Sequence, residues 1–208
     1  MSRRTTAIAA SLFVLVFGAP FITGCTNPLA INYYNSGVKK YEKGDYKGAI
    51  VDYTKALEIN PQDADSYENR GVAKYDLEDY QGAMTDYTKA LQIDPESVIA
   101  YFNRGNTKIS LGDYQGAITD YTKALEIDPQ NADSYENRGL AKSKSKDYRG
   151  AIADYNKAIE IDPQDANTYI NRGITREILN DLPGACSDWK KAVDLGDELP
   201  TKWVKKQC

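Results

Sequence analysis

Residues 64–97 read ADSYENRGVAKYDLEDYQGAMTDYTKALQIDPES and divide into two helical halves. From Tyr67 to Leu77 the apolar residues recur at helical spacing and form one face. Asp79 is placed to open a second helix as its N-cap. Asp94-Pro95 is placed to close it, because proline lacks the N–H that would continue the ladder. Gly71, Ala83 and Ala90 are small where two helices must approach closely, and Tyr67, Tyr80 and Tyr87 fill the spaces around them. The stretch reads as a helix-turn-helix pair.

The pair recurs. Tyr33, Tyr67, Tyr101, Tyr135 and Tyr169 stand 34 residues apart, as do Gly37, Gly71, Gly105, Gly139 and Gly173. Ala49, Ala83, Ala117, Ala151 and Ala185 keep the same period. The units are 30–63, 64–97, 98–131, 132–165 and 166–199, with no insertion or deletion. Thirteen of the 16 Tyr fall at three positions of this period, so the excess of tyrosine is a packing rule copied along the chain. Gly44 and Gly112 fit glycine stops between the paired helices. A fixed period of this length marks a repeat architecture.

These units resemble the tetratricopeptide (TPR) repeat. The matching pattern is an aromatic at the fourth, seventeenth and twenty-fourth positions, Gly at the eighth, Ala at the twentieth and twenty-seventh, and Pro at the thirty-second. Departures concentrate in the last unit, where Leu182 and Trp189 replace Tyr and Gly196-Asp197 replaces Asp-Pro. The resemblance implies an all-α protein, a right-handed α-solenoid of five 34-residue helix-turn-helix repeats. Residues 200–208 would form a short C-terminal capping helix, since a solenoid needs a polar end.

The resemblance also implies a concave groove lined by the first helix of each unit, with its second, fifth, sixth, ninth, twelfth and thirteenth positions facing inward. The sixth is Asn35, Asn69, Asn103, Asn137 or Asn171. A carboxamide donates and accepts, so this row could hold the backbone of an extended ligand. Alternatively, each Asn caps or packs locally. Glu68, Phe102, Glu136 and Ile170 occupy fifth positions. Counting the remaining inward positions, seven are acidic (Glu42, Asp65, Glu68, Asp76, Asp133, Glu136, Glu177) and one, Lys144, is basic. Such a groove should prefer a basic or amphipathic segment of a protein or peptide. First-turn carboxylates are also favoured by the helix dipole alone, which is the competing explanation. The clamp that some TPR domains use for acidic C-terminal tails is not matched, because its positions fall at Tyr34, Val38, Asn69, Ile99 and Asn103.

Arg70, Arg104, Arg138 and Arg172 precede the repeat glycine, whereas the first unit has Ser36. Asp52, Asp86, Asp120, Asp154 and Asp188 recur in every second helix. Because the Arg is missing only where no unit precedes, each is expected to pair with the Asp of the preceding unit.

Residues 1–24 carry Arg3 and Arg4, an apolar run from Ala7 to Phe17, and then Ile22-Thr23-Gly24 before Cys25. A basic start and short apolar run form a signal-peptide pattern, too short for a transmembrane helix of roughly 20 residues. The last four residues resemble a bacterial lipobox. This implies cleavage before Cys25, lipidation of its thiol, and residues 25–29 as the lipidated cysteine and a short linker. Cleavage after Ala19 or an uncleaved signal anchor are the alternatives. Cys186 and Cys208 bracket the Gly196-Asp197 turn. If the last segment folds back as a helix they meet, and export would permit a disulfide; otherwise Cys186 is buried and Cys208 free.

The chain has no His, which removes imidazole triads and His-ligated metal sites. With 26 Lys and Arg against 30 Asp and Glu and no basic cluster, nucleic acid is not the expected partner. There is no Gly-rich phosphate loop, nucleophile elbow or Cys-x-x-Cys pair, so neither catalysis, a cofactor nor a small-molecule substrate is expected. The sequence thus reads as a binding scaffold held by lipid in the bacterial cell envelope, on the periplasmic side. The alternative is an exported soluble adaptor that presents substrates to an envelope protease or other enzyme.

Overall fold

A computed structural model describes residues 27–208. The expected signal peptide and Cys25 lie outside the described residues. The chain forms α1 (Pro28–Glu42), α2 (Tyr46–Ile59), α3 (Ala64–Asp76), α4 (Tyr80–Ile93), α5 (Val98–Ser110) and α6 (Tyr114–Ile127). It continues with α7 (Ala132–Lys144), α8 (Tyr148–Ile161), α9 (Ala166–Ile178), α10 (Leu182–Asp194) and α11 (Thr201–Gln207). No strand occurs among the described residues. Each even-numbered helix from α2 to α8 packs between its own first helix and the first helix of the next unit. Successive first helices also touch, α1 with α3 and so on to α9, whereas no two even-numbered helices do. The stack therefore curves with its first helices on the inside, forming an α-solenoid of five helix pairs.

Each second helix starts on an Asp whose carboxylate accepts the N–H of the Gly three residues on, as in Asp79 and Gly82 at 3.0 Å or Asp113 and Gly116 at 2.9 Å. This satisfies one of the orphan donors of the first turn. Between paired helices the chain passes through the left-handed region, at Gly44 and Gly112 with φ 78° and at Glu78, Lys146 and Asn180 with φ 62°, 70° and 63°. The N–H of Lys146 bonds to Ser143 O and that of Asp147 to Lys142 O, closing a Schellman turn. A Cβ is strained there. Lys146→Gly is expected to stabilise the protein by about 0.5–1 kcal/mol, read as a higher urea midpoint at unchanged slope.

The core lies between the helices of each pair. Tyr53, Tyr87, Tyr121, Tyr155 and Trp189 are about 1% exposed or less, flanked by alanines at 0–2% exposure such as Ala117 and Ala124. Each ring lies on the glycine of its own first helix, so closely that a Cβ on Gly105 would stand 2.8 Å from Tyr121 Cε1.

The expected pairing of each Arg with the Asp of the preceding unit is not what forms. Arg70 grips Asp86 of its own unit with Nε at 2.9 Å and Nη2 at 2.7 Å, and Lys74 Nζ adds a third contact at 2.7 Å. Arg104, Arg138 and Arg172 do the same with Asp120, Asp154 and Asp188. What reaches backwards is Nη1, which donates to Thr54 of the preceding unit from Arg70 and to Thr122 from Arg138. The first unit has no such neighbour, and there Ser36 Oγ donates to Asp52 at 2.6 Å beside Lys40 at 2.7 Å. Burial raises the Asp52 carboxyl, but the Lys40 and Ser36 hydrogen bonds outweigh it and hold the group below the usual carboxylate range.

At the far end α11 folds back on α10. Trp203 lies 5.3 Å from Trp189 between ring centroids, and a disulfide joins Cys186 to Cys208 with their Cα atoms 5.6 Å apart.

Candidate functional site

The inner face is built from the exposed sides of α1, α3, α5, α7 and α9, and hydrogen bonds between neighbouring units show which positions share it. Tyr41 Oη donates to Asp76 at 2.6 Å, and Tyr75 Oη lies 3.0 Å from Ser110 Oγ. Asn69 Nδ2 donates to Tyr34 Oη at 3.2 Å, and Asn171 Nδ2 to Glu136 Oε1 at 3.0 Å. These partners sit at the fifth, sixth, twelfth and thirteenth positions of their units. They form one continuous surface.

The asparagine row is partly spent on the fold. Asn69 and Asn137 also bond through Nδ2 to the backbone oxygens of Asp65 and Asp133, one turn earlier. Asn35 and Asn103 make no side-chain hydrogen bond among the described residues, and in none of the five does Oδ1 accept one there. Several amide nitrogens of the row thus serve locally, and its Oδ1 atoms have no hydrogen-bond donor among the described residues.

Glu68 is buried and accepts from Ser97 Oγ at 2.5 Å; burial pushes its carboxyl up, and the charges of Asp65 and Asp94 add to this. Burial likewise lifts Glu136 to about 7, with Asp165 and Asp133 adding and the bond from Asn171 opposing. Its folded form keeps a proton above the ordinary value of 4.5, so the stability this lends is present at low pH and lost as pH rises through about 7. Glu136→Gln is therefore expected to melt higher than the parent at pH 8 and nearly level with it at pH 4, in paired thermal unfolding.

Phe102 is half-buried, edge-on to Tyr121 at 5.8 Å. Ile170, expected to line the groove, is 7% exposed and packs with Tyr169 and Ala192 in the terminal cluster, so it offers little surface. A hollow of about 170 Å³ opens at the first gap between units, lined by Ile31 and Tyr34 on one side and Asp65 on the other, with Asn60 and Asp63 at its edge. Asn60, Asp63 and Ser97 stand outside the helical positions that the repeat pattern assigns to the groove, so no periodic signal pointed to them. Among the described residues no group of His, Cys, Asp or Glu is arranged to hold a metal ion.

The TPR-repeat family model matches residues 37–78, 73–108, 105–145 and 143–177. The chain belongs to the TPR-repeat family. TPR domains bind proteins and peptides. No curated protein matches the sequence. Among solved structures the chain is similar to MamA, at 27% identity and TM-score 0.74, over 86% of this chain and 96% of that one. It shares its fold with YrrB, described as a TPR protein with an unusual peptide-binding site, at 23% identity and TM-score 0.72, over 85% of this chain and 92% of YrrB. It also shares its fold with PilW, described as a widely conserved type IV pilus biogenesis factor, at 20% identity and TM-score 0.74, over 81% of this chain and 78% of PilW.

Proposed function

We propose that this TPR protein is a non-catalytic scaffold, anchored in the bacterial cell envelope by lipid on Cys25, that holds a basic or amphipathic segment of a partner protein in its groove. The observation that carries the binding reading is the inner face itself. The exposed carboxylates of Asp65 and Asp133 alternate there with the exposed side chains of Ile31 and Ile99, beside asparagines whose Oδ1 atoms accept no hydrogen bond among the described residues. Opposite charge on a partner would be steered to such a face and held in register. The peptide-binding site ascribed to YrrB supports the same use of the fold.

Lipid anchoring rests on the Ile22-Thr23-Gly24-Cys25 stretch after a short apolar run. Residues 26 and 27 alone separate that cysteine from α1, so an anchored array lies close to the bilayer. No helix among the described residues is long and apolar enough to cross a membrane. Two experiments test the proposal. A photo-crosslinker at Asn103 should capture a partner in cells, and capture only from the outer faces of the even-numbered helices would refute the groove. Fatty-acid labelling of the parent but not of Cys25→Ser is expected; an unlabelled parent ends the anchor and leaves the exported soluble adaptor.

A further inference from the structure

Over the first four units the second and fifth positions of the first helices alternate in chemistry along the inner face, and the fifth unit, with Asn167 and the buried Ile170, ends the pattern. In the first and third units they are Ile31 with Tyr34 and Ile99 with Phe102, of which Ile31 is 41% and Ile99 62% exposed. In the second and fourth they are Asp65 with Glu68 and Asp133 with Glu136. Folding does not require this pattern. The helix dipole favours a first-turn carboxylate on every first helix, yet only α3 and α7 carry one among α1, α3, α5, α7 and α9.

We infer that the groove takes an extended, polyproline-II-like segment in which apolar and basic side chains alternate at every third residue. This rests on the groove being the binding face. Neighbouring first helices are in contact, and packed helices lie roughly 8–10 Å apart. A polyproline-II segment rises about 3.1 Å per residue with three residues per turn, so every third side chain points the same way about 9.3 Å along. One ligand side chain then meets one unit. A β-strand presents same-face side chains about 6.6 Å apart, out of step with the units. An α-helix would match at every seventh residue, about 10.5 Å, but its backbone groups are already bonded internally and leave nothing for the carboxamide row. A polyproline-II backbone leaves its N–H and C=O groups free, and the open Oδ1 atoms of Asn35, Asn69, Asn103, Asn137 and Asn171 accept from such N–H groups. The hollow between Ile31, Tyr34 and Asp65 marks where an apolar side chain and its basic neighbour enter.

The test uses the full-length chain in detergent micelles and a fluorescent 13-residue peptide with Leu at places 1 and 7, Lys at 4 and 10, and Pro and Ser elsewhere. A second peptide of the same composition spaces its Leu and Lys at every fourth residue, and a third replaces Lys by Glu. The first peptide should bind about tenfold more tightly than either of the others. Asp65→Asn and Asp133→Asn, which keep size and remove charge, should each weaken it about fivefold, with circular dichroism unchanged. Equal binding of the first two peptides, or unaltered binding by both Asn variants, overturns the alternation. Absence of peptide binding while a crosslinker at Asn103 still captures a cellular partner overturns the extended register and leaves the groove standing. Loss of both peptide binding and capture at Asn103 overturns the groove reading with it.

Discussion

Asp120→Ala is expected to destabilise the protein by about 3–5 kcal/mol. Asp120 is 2% exposed and accepts from Arg104 Nε and Nη2 and from Lys108 Nζ, so one carboxylate neutralises two cations. The side chains of Arg104 and Lys108 are themselves only 18% and 16% exposed. Removing the carboxylate leaves two partly buried cations facing each other, and neither can reach water without breaking its packing. Arg104 lies over the Tyr101 ring at 5.6 Å, which fixes the guanidinium where the charge is needed. Asp52→Ala in the first unit is the internal comparison. There the partners are Ser36 and Lys40, the lysine is 38% exposed and free to turn outward, and the cost should be about 1–2 kcal/mol. Chemical denaturation of the two variants checks the ordering. Equal losses would mean that the paired cations contribute nothing beyond a single hydrogen-bonded carboxylate.

The same pair of residues shows how far the amino-acid pattern carries. Period, helix pairs and the Asp caps follow from spacing alone, because a cap and a proline stop act within a few residues. The partner of Arg104 does not. Asp120 and Asp86 are 16 residues after it and 18 before it, and both belong to helices that flank its own. The choice is made in three dimensions. The fork of Nε and Nη2 meets the Asp of its own unit, and only Nη1 faces backwards, where Thr88 takes it at 3.4 Å. The missing Arg of the first unit did signal a contact with the preceding unit, but the contact is a threonine hydroxyl or, for Arg172, the Asn156 amide oxygen. Ile170 escaped for a different reason: it packs in a cluster with Tyr169 and Ala192, and burial of that kind depends on neighbours in space that the repeat spacing does not name. For the asparagines, a repeated carboxamide says nothing about whether its nitrogen finds a carbonyl one turn back, as in Asn69 and Asn137, or stays open as in Asn103.

Gly105 and Tyr121 should show a reversal of sign in a double-mutant cycle. In the parent, alanine at 105 would place its Cβ 2.8 Å from Cε1 and 2.9 Å from Cζ of Tyr121. The ring has no room to retreat. It is fully buried beside Ala117 and Ala141, with Phe102 edge-on and its hydroxyl donating to Asn106 at 2.5 Å. Overpacking of this kind costs about 1–3 kcal/mol, while alanine gains about 1 kcal/mol of helix propensity over glycine. Gly105→Ala should therefore be destabilising by up to about 2 kcal/mol. Tyr121→Ala removes a buried ring from the middle of the array and is expected to cost about 3–5 kcal/mol, since packed neighbours on both sides prevent collapse into the space. In that background the clash is gone. The Cβ at 105 now fills part of the cavity, and only the propensity gain and the added contact remain, so Gly105→Ala should stabilise Tyr121→Ala by about 1 kcal/mol. Urea unfolding of the four proteins measures the coupling. If Gly105→Ala has the same sign in both backgrounds, the glycine is not there for the ring, and the packing rule inferred for all five units fails with it.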